Sequence, residues 1–263
     1  MRFDWYAASV DAKPKTVLLG LFDALKCDGH QETKARNGYE NGQALTRGGE
    51  KVATVFWGGN GGLPFAWASG EDAPALSEAL RSAWTHRITR ADVAEDFTDP
   101  GAWESLSGRL VGVVDDHRIN LDHMGDHHRA ERGRTLQAGS RKSIAMMRLY
   151  EKGKQLQQDP NWVRAEIEVK PKRREVRELL SKAEPSAFWG VSKWAAEYYE
   201  FMMCAEIERL DAGTIFRESD YDRRVKWMFR QYGKTLAEML QNKGSAYLMG
   251  KAIEAKLIED RFL

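Results

Sequence analysis

Val163-Arg164-Ala165-Glu166-Ile167-Glu168-Val169 alternates apolar and charged side chains at period two. Successive strand side chains point to opposite faces. The segment therefore reads as a strand with Arg164, Glu166 and Glu168 on one face and its apolar residues on the other. Upstream, Thr89-Arg90-Ala91-Asp92-Val93-Ala94-Glu95-Asp96-Phe97 repeats the pattern, with Arg90, Asp92 and Asp96 on one face. Between them, Arg148-Leu149-Tyr150-Glu151-Lys152 sets Arg148, Tyr150 and Lys152 on a common face. Aligned in one sheet, these strands gather a phenol, carboxylates and guanidinium groups. A charged stripe at period two also suits the wet face of a half-exposed strand, and for either flanking strand alone both readings fit.

Working outward, residues 3–10 alternate as a strand, and 14–26 read as a helix with Pro14 in its first turn. Strands follow at 38–45, 52–57 and 63–68. Gly48-Gly49 and the cluster at 58–62 punctuate them as hairpin turns. Residues 73–84 form an amphipathic helix with Leu76, Leu80 and Trp84 on one side. The charged strand at 87–97 comes next, then a helix over 103–115, a polar loop over 117–133, and strands at 135–138, 144–152 and 162–170. The order β-α-β-β-β-α-β, then α-β-β-β, predicts an α+β fold. It is a large antiparallel sheet from two related α/β halves, with helices on one face and the other face open. No sequence repeat marks the halves; element order alone carries the duplication.

After Pro171 the pattern turns helical, at 172–182, 186–212, 222–241 and 244–260. The expected division is a catalytic domain over 1–185 and a helical C-terminal segment over 186–263. DNA binding, dimerisation and recruitment of a host helicase are open roles for that segment. Trp189, Trp194, Tyr198, Tyr199, Phe201, Met202 and Met203 form a band of the kind that fills a core or a dimer face.

The chain of 263 residues is 42% hydrophobic and 30% charged, as in ordinary soluble proteins. No apolar stretch approaches the roughly 20 residues that span a bilayer, and no secretory pattern opens the chain. Cys27 and Cys204 lie far apart without metal spacing. A cytoplasmic protein with reduced thiols and no membrane partner is the expectation. Net charge is +1, but Lys and Arg outnumber Asp and Glu 15 to 7 over residues 129–182, around Tyr150, against 13 to 19 over 1–128. Local field governs phosphate attraction.

The residue types suit metal-assisted attack of a tyrosine on a phosphodiester. Carboxylates hold Mg²⁺ or Mn²⁺ through oxygen, and a cation polarises a scissile phosphate. A phenol ordinarily titrates at about pH 10. Either nearby Arg148 or Lys152 favours the phenolate, or a carboxylate accepts its proton; the sequence leaves both routes open. Gly139-Ser140-Arg141-Lys142-Ser143, with backbone amides, two hydroxyls and two cations, fits both a phosphate grip and an ordinary polar hairpin. His117, His123, His127 and His128 cluster with several aspartates but match no standard zinc spacing.

These residues together resemble the replication initiation factor family, the rolling-circle initiators of small plasmids and filamentous phages. The resemblance runs over about residues 50–185, in the family's order and spacing. Its pieces are Thr89-Arg90-Ala91-Asp92 with Asp96, Gly125-Asp126, Gly133-Arg134-Thr135, Gly139-Ser140-Arg141-Lys142-Ser143, Arg148-Leu149-Tyr150-Glu151-Lys152-Gly153, and Trp162 through Glu168. It implies a large curved antiparallel sheet backed by helices, and a metal-dependent, origin-specific enzyme that nicks and transfers DNA strands. By position, Tyr150 would be the nucleophile, left joined to the 5′ phosphate. Asp92, Asp96, Glu166 and Glu168 would be the candidate ligands for Mg²⁺ or Mn²⁺. Arg148, Lys152 and Arg164 would position phosphate, while Arg90, Ser140, Arg141, Lys142 and Ser143 would contact DNA. A homodimer and a host helicase are further expected partners. Ala138 stands where family members often carry a tyrosine, which weakens the case for a second reactive phenol.

The principal rival is a non-catalytic DNA-binding regulator on the same fold, controlling copy number or transcription. Retention of Tyr150 with four carboxylates argues against it. A relaxase of the His-ligand type lacks its His-hydrophobic-His pair here. A tyrosine recombinase would carry its nucleophile in a helical domain.

Overall fold

The computed structural model describes residues 1–210 and 220–259. It divides into two compact units, Met1–Gly213 and Thr214–Leu263. The first unit opens with β1 (Arg2–Val10), α1 (Pro14–Ala24), β2 (Gly29–Glu32), β3 (Tyr39–Arg47), β4 (Glu50–Gly59), β5 (Phe65–Ser69) and α2 (Asp72–Ala83). It then repeats the series with β6 (His86–Phe97), α3 (Ala102–Asp116), β7 (Leu121–Gly125), β8 (Arg134–Ala138), β9 (Ala145–Tyr150), the short α4 (Lys152–Leu156), β10 (Val163–Val169) and α5 (Arg174–Lys182).

All these strands join one antiparallel sheet in the order β2-β3-β4-β5-β1-β6-β10-β9-β8-β7. Each half lays down its strands in the same spatial order, and the halves meet back to back at the β1–β6 pair. The predicted α+β architecture of two related halves is therefore present, and topology reveals the duplication that sequence similarity does not. Tight turns follow the glycines: Gly48 and Gly49 (φ +59° and +84°) close the hairpin between β3 and β4.

One face of the sheet carries the core. Phe3, Tyr6, Val10, Ile88, Val93, Leu149 and Ile167 are buried there. Helix α2 packs on β1 and β5, α3 on β8 and β9, and α5 on β6. Behind β1, the Tyr6 hydroxyl and His86 Nε2 form a buried hydrogen bond of 2.7 Å.

Several elements differ from the sequence reading. The two edge strands are additions: no strand is predicted at 29–32, and 117–133, read as a loop, contains β7. Both strands are almost wholly exposed, so no apolar alternation marks them. Strand β9 ends at Tyr150, and Lys152 starts α4 instead of continuing the strand. Residues 186–212 do not form one helix. A 3-10 turn over Pro185–Val191 leads through extended Ser192 into α6 (Lys193–Met203), while 211–212 lie outside the described residues. The break follows from a close crossing: Leu210 N donates to the Gly190 carbonyl at 3.1 Å. A Cβ at Gly190 would sit 2.4 Å from the Glu208 carbonyl oxygen.

The turn and α6 belong to the first unit, which thus continues past residue 185. Trp189, Trp194, Tyr198, Tyr199 and Met202 are buried in its core, and the Tyr198 hydroxyl donates to the Leu106 carbonyl at 3.1 Å, tying α6 to α3. The second unit contains α7 (Asp220–Lys243) and α8 (Ala246–Glu259), which pack on each other. Among the described residues no helix is long and apolar enough to cross a membrane.

Candidate active site

Strand β10 lies between β6 and β9, and all seven of its residues are buried. Its charged stripe is therefore not a wet face: Arg164, Glu166 and Glu168 are 3%, 4% and 6% exposed, and Asp92 on β6 is 3% exposed. Buried charges need partners, and the register supplies them. Asp92 faces Glu168 and Asp96 faces Arg164 across β6–β10. Arg148 faces Glu166 and Tyr150 faces Arg164 across β9–β10. The three stripes lie side by side.

The Tyr150 hydroxyl donates to Glu166 Oε2 at 3.0 Å, while Arg148 pairs with Glu166 Oε1. Arg90 donates to Asp92 Oδ1 at 2.8 Å and reaches Glu168 Oε2 at 2.9 Å. Arg148 also approaches Asp92 Oδ2 at 3.7 Å. Two guanidinium groups thus stitch together the carboxylates of Asp92, Glu166 and Glu168. Asp96 is engaged differently. Arg164 grips both its oxygens at 2.7 and 2.8 Å, and the Trp162 indole N–H donates to one of them at 2.6 Å.

Burial pushes the Asp92 carboxyl up to about 6, with Glu166 and Glu168 adding to the rise and Arg90 opposing it. Burial, then the charge of Glu166, raises the Tyr150 phenol above its ordinary range. For Asp96, burial pulls upward, but hydrogen bonds from Arg164 and Trp162 hold it below the usual carboxylate value. Burial likewise opposes the rise of Arg164, whose bonds to Asp96 keep it firmly charged.

A cleft of about 500 Å³ opens over this cluster, lined among others by Asp4, Trp5, Arg134, Tyr150 and Lys152. Lys152, although displaced from the strand, holds its ammonium 5.7 Å from the centre of the Tyr150 ring. The Gly139–Ser143 loop lies elsewhere. It joins β8 to β9 at the Ala145 end, five residues along β9 from Tyr150, or about 17 Å. Its serines are turned inward: Ser143 Oγ donates to the Ala145 carbonyl at 2.8 Å, and Ser140 N donates to Ser143 Oγ at 3.2 Å. Arg141 and Lys142 are exposed. The histidines also disperse, with His117 Nε2 bound to Glu197 at 2.7 Å and His123 and His127 in ring contact.

Two features escape the sequence reading. Asp4 accepts a third Arg164 bond at 3.0 Å, made possible by a register shift between Phe3 and Trp5. A lone carboxylate in an apolar strand was its only signal. Glu151, 3% exposed, accepts from Arg134 at 2.8 Å and Lys154 at 2.6 Å, anchoring the turn that follows Tyr150.

Asp92, Glu166 and Glu168 offer the hard oxygen donors that Mg²⁺ or Mn²⁺ takes. Burial is the main cause of the raised Asp92 carboxyl, and the neighbouring charges of Glu166 and Glu168 add a smaller part that a cation would relieve. Arg90 and Arg148 now bridge these oxygens, and among the described residues no three ligand groups converge on one point. The donor chemistry fits a divalent cation; a bound ion would require the guanidinium groups to swing aside.

The sequence profile of replication initiation factors matches residues 86–251. No curated protein sequence matches the chain significantly. Among solved structures, a rolling circle replication initiator protein from Geobacillus stearothermophilus aligns with a TM-score of 0.54. The alignment covers 79% of this chain and 97% of that one at 18% identity, a likeness of fold.

Proposed function

The chain belongs to the replication initiation factor family, and from that premise we propose that it is a rolling-circle initiator that nicks one DNA strand through Tyr150. The observation that carries this reading is the 3.0 Å hydrogen bond from the Tyr150 phenol to the buried Glu166, at the floor of a cleft large enough for a phosphodiester. Because the phenol is held above its ordinary range, a preformed phenolate is disfavoured. That supports the route in which Glu166 accepts the proton as the oxygen attacks.

The Tyr150 oxygen forms a bond to phosphorus, the bond from phosphorus to the 3′ oxygen breaks, and that oxygen leaves to become a 3′ hydroxyl with a proton from solvent. The 5′ phosphate stays on Tyr150, and attack by a 3′ hydroxyl reverses the step to complete strand transfer. Lys152 and Arg148 neutralise phosphate oxygens as charge builds. Arg164, fixed by Asp96 and Asp4, keeps the floor rigid beneath Tyr150. Asp92, Glu168 and Glu166 would hold Mg²⁺ or Mn²⁺, which when bound would polarise the scissile phosphate.

The test is a nicking assay on supercoiled and single-stranded DNA carrying the native element's intergenic region, with Mg²⁺ or Mn²⁺. Wild type is compared with Tyr150→Phe, and covalent protein–DNA adduct is measured. Metal-dependent nicking and a 5′ adduct, both lost in the variant, are expected. Specific binding without cleavage under either metal would favour the regulator instead.

A further inference from the structure

The two halves of the sheet share a topology but not an open face. Where β10 carries Arg164, Glu166 and Glu168, its counterpart β5 carries Phe65, Trp67 and Ser69. Where β6 carries Arg90 and Asp92, β1 carries Trp5 and Ala7 in register with Asp92 and Arg90. One half is charged and the other aromatic.

The aromatic half is organised as a column across four neighbouring strands. Lys51 on β4 holds its ammonium 4.5 Å over the Trp67 ring on β5. Trp67 stacks on Trp5 of β1 at 4.6 Å and 10°. The Arg90 guanidinium on β6 lies 4.6 Å over Trp5. Arg90 is in turn bonded to Asp92 and Glu168, so the column runs without interruption into the cluster beneath Tyr150. Both indoles are half-buried and Lys51 is exposed. The Trp5 indole N–H is buried without a hydrogen-bond partner among the described residues, so the ring's place in the column is set by its stacking contacts.

We propose that this column is a binding site for unpaired DNA, in which a base stacks on the Trp67 face now covered by the Lys51 ammonium. Lys51 then turns to the strand's phosphate, and the strand continues past the Trp5 edge into the cleft that Trp5 lines. An aromatic face bounded by cations and continuous with a phosphodiester-sized cleft suits a single strand, because every base has a π-face and every linkage a charge. Duplex DNA, whose bases are stacked internally, has no face to offer. The inference rests on the nuclease reading for its substrate class, and its test is kept separate from the chemistry.

Full-length protein carrying Tyr150→Phe is titrated with a fluorescein-labelled single strand of mixed sequence and with the matching duplex. Trp67→Ala is expected to weaken single-strand binding about five- to hundredfold while leaving duplex binding and the salt slope unchanged. Lys51→Ala, at an exposed position, is expected to lower the single-strand salt slope by about 0.7. Trp67→Phe, which keeps a ring, should retain most affinity and serves if the alanine variant does not fold. Its loss of strand-induced indole quenching then reports the contact directly. Equal losses for single strand and duplex, or wild-type affinity and quenching in the Trp67 variants, would overturn the site. If these variants bind as wild type while Tyr150→Phe abolishes nicking, this inference fails and the nuclease reading stands. The reverse pattern removes the nuclease and keeps the site.

Discussion

Tyr150 on β9 donates its phenolic proton to Glu166 on β10, a strand away, at 3.0 Å. The acceptor is buried and its other oxygen is held by Arg148. The hydrogen bond therefore has one geometry, and the phenol faces its acceptor before any substrate arrives.

Glu166→Gln keeps the shape of this contact but removes both the proposed base and one of the three carboxylates proposed to hold the metal. Nicking is expected to slow about a hundredfold or more, while DNA binding changes little. Single-turnover cleavage by both proteins across pH measures it. A rate equal to wild type would return the role of base to another group.

Arg164 has one guanidinium bonded to two carboxylates, Asp96 and Asp4. Arg164→Ala should destabilise the fold by at most about 3 kcal/mol, since the carboxylates it leaves unpaired are partly exposed. Asp4→Asn should do far less, because the fork on Asp96 survives. Urea midpoints for both variants would order them.

Gly153 sits where a Cβ would fall 1.6 Å from the Asp159 carbonyl oxygen. Gly153→Ala is expected to cost about 2 kcal/mol or more and to disturb the α4–β10 connection. Because Lys152 starts that helix, adduct formation should drop with stability. A variant as stable as wild type would show that the loop yields freely.

His86 is buried against Tyr6, and burial holds its imidazole below the ordinary value. The unfolded chain takes the proton first as pH falls below about 6.5, so stability is fully present above that pH and declines toward the folded value. His86→Gln should remove this acid-side slope. Thermal melting between neutral and mildly acidic pH would read the difference.

Much of this was legible in the chain. Period-two alternation placed β6, β9 and β10, the paired glycines placed the hairpins, and the charged stripes singled out Asp92, Tyr150, Glu166 and Arg164 as candidates. The reading failed where burial could not be inferred from pattern. Edge strands β2 and β7 carry no clear apolar alternation because they are almost wholly exposed, with only Leu121 of β7 packed against the core. The break at Gly190 depends on a segment that returns from residues 208–210. Asp4 reaches Arg164 across 160 positions of sequence, a contact no local window contains.

The sequence by itself determined the strand faces, since side-chain alternation is a property of the extended backbone, and with them which charges travel together. Only the tertiary structure decided that those charges are buried and paired. The same alternation describes a solvated edge and a central strand; β10 became central because β6 and β9 pair with it from either side. That burial turned Glu166 into a fixed acceptor for Tyr150. The joining of the halves at β1 and β6 then set the Trp67–Trp5 column beside it.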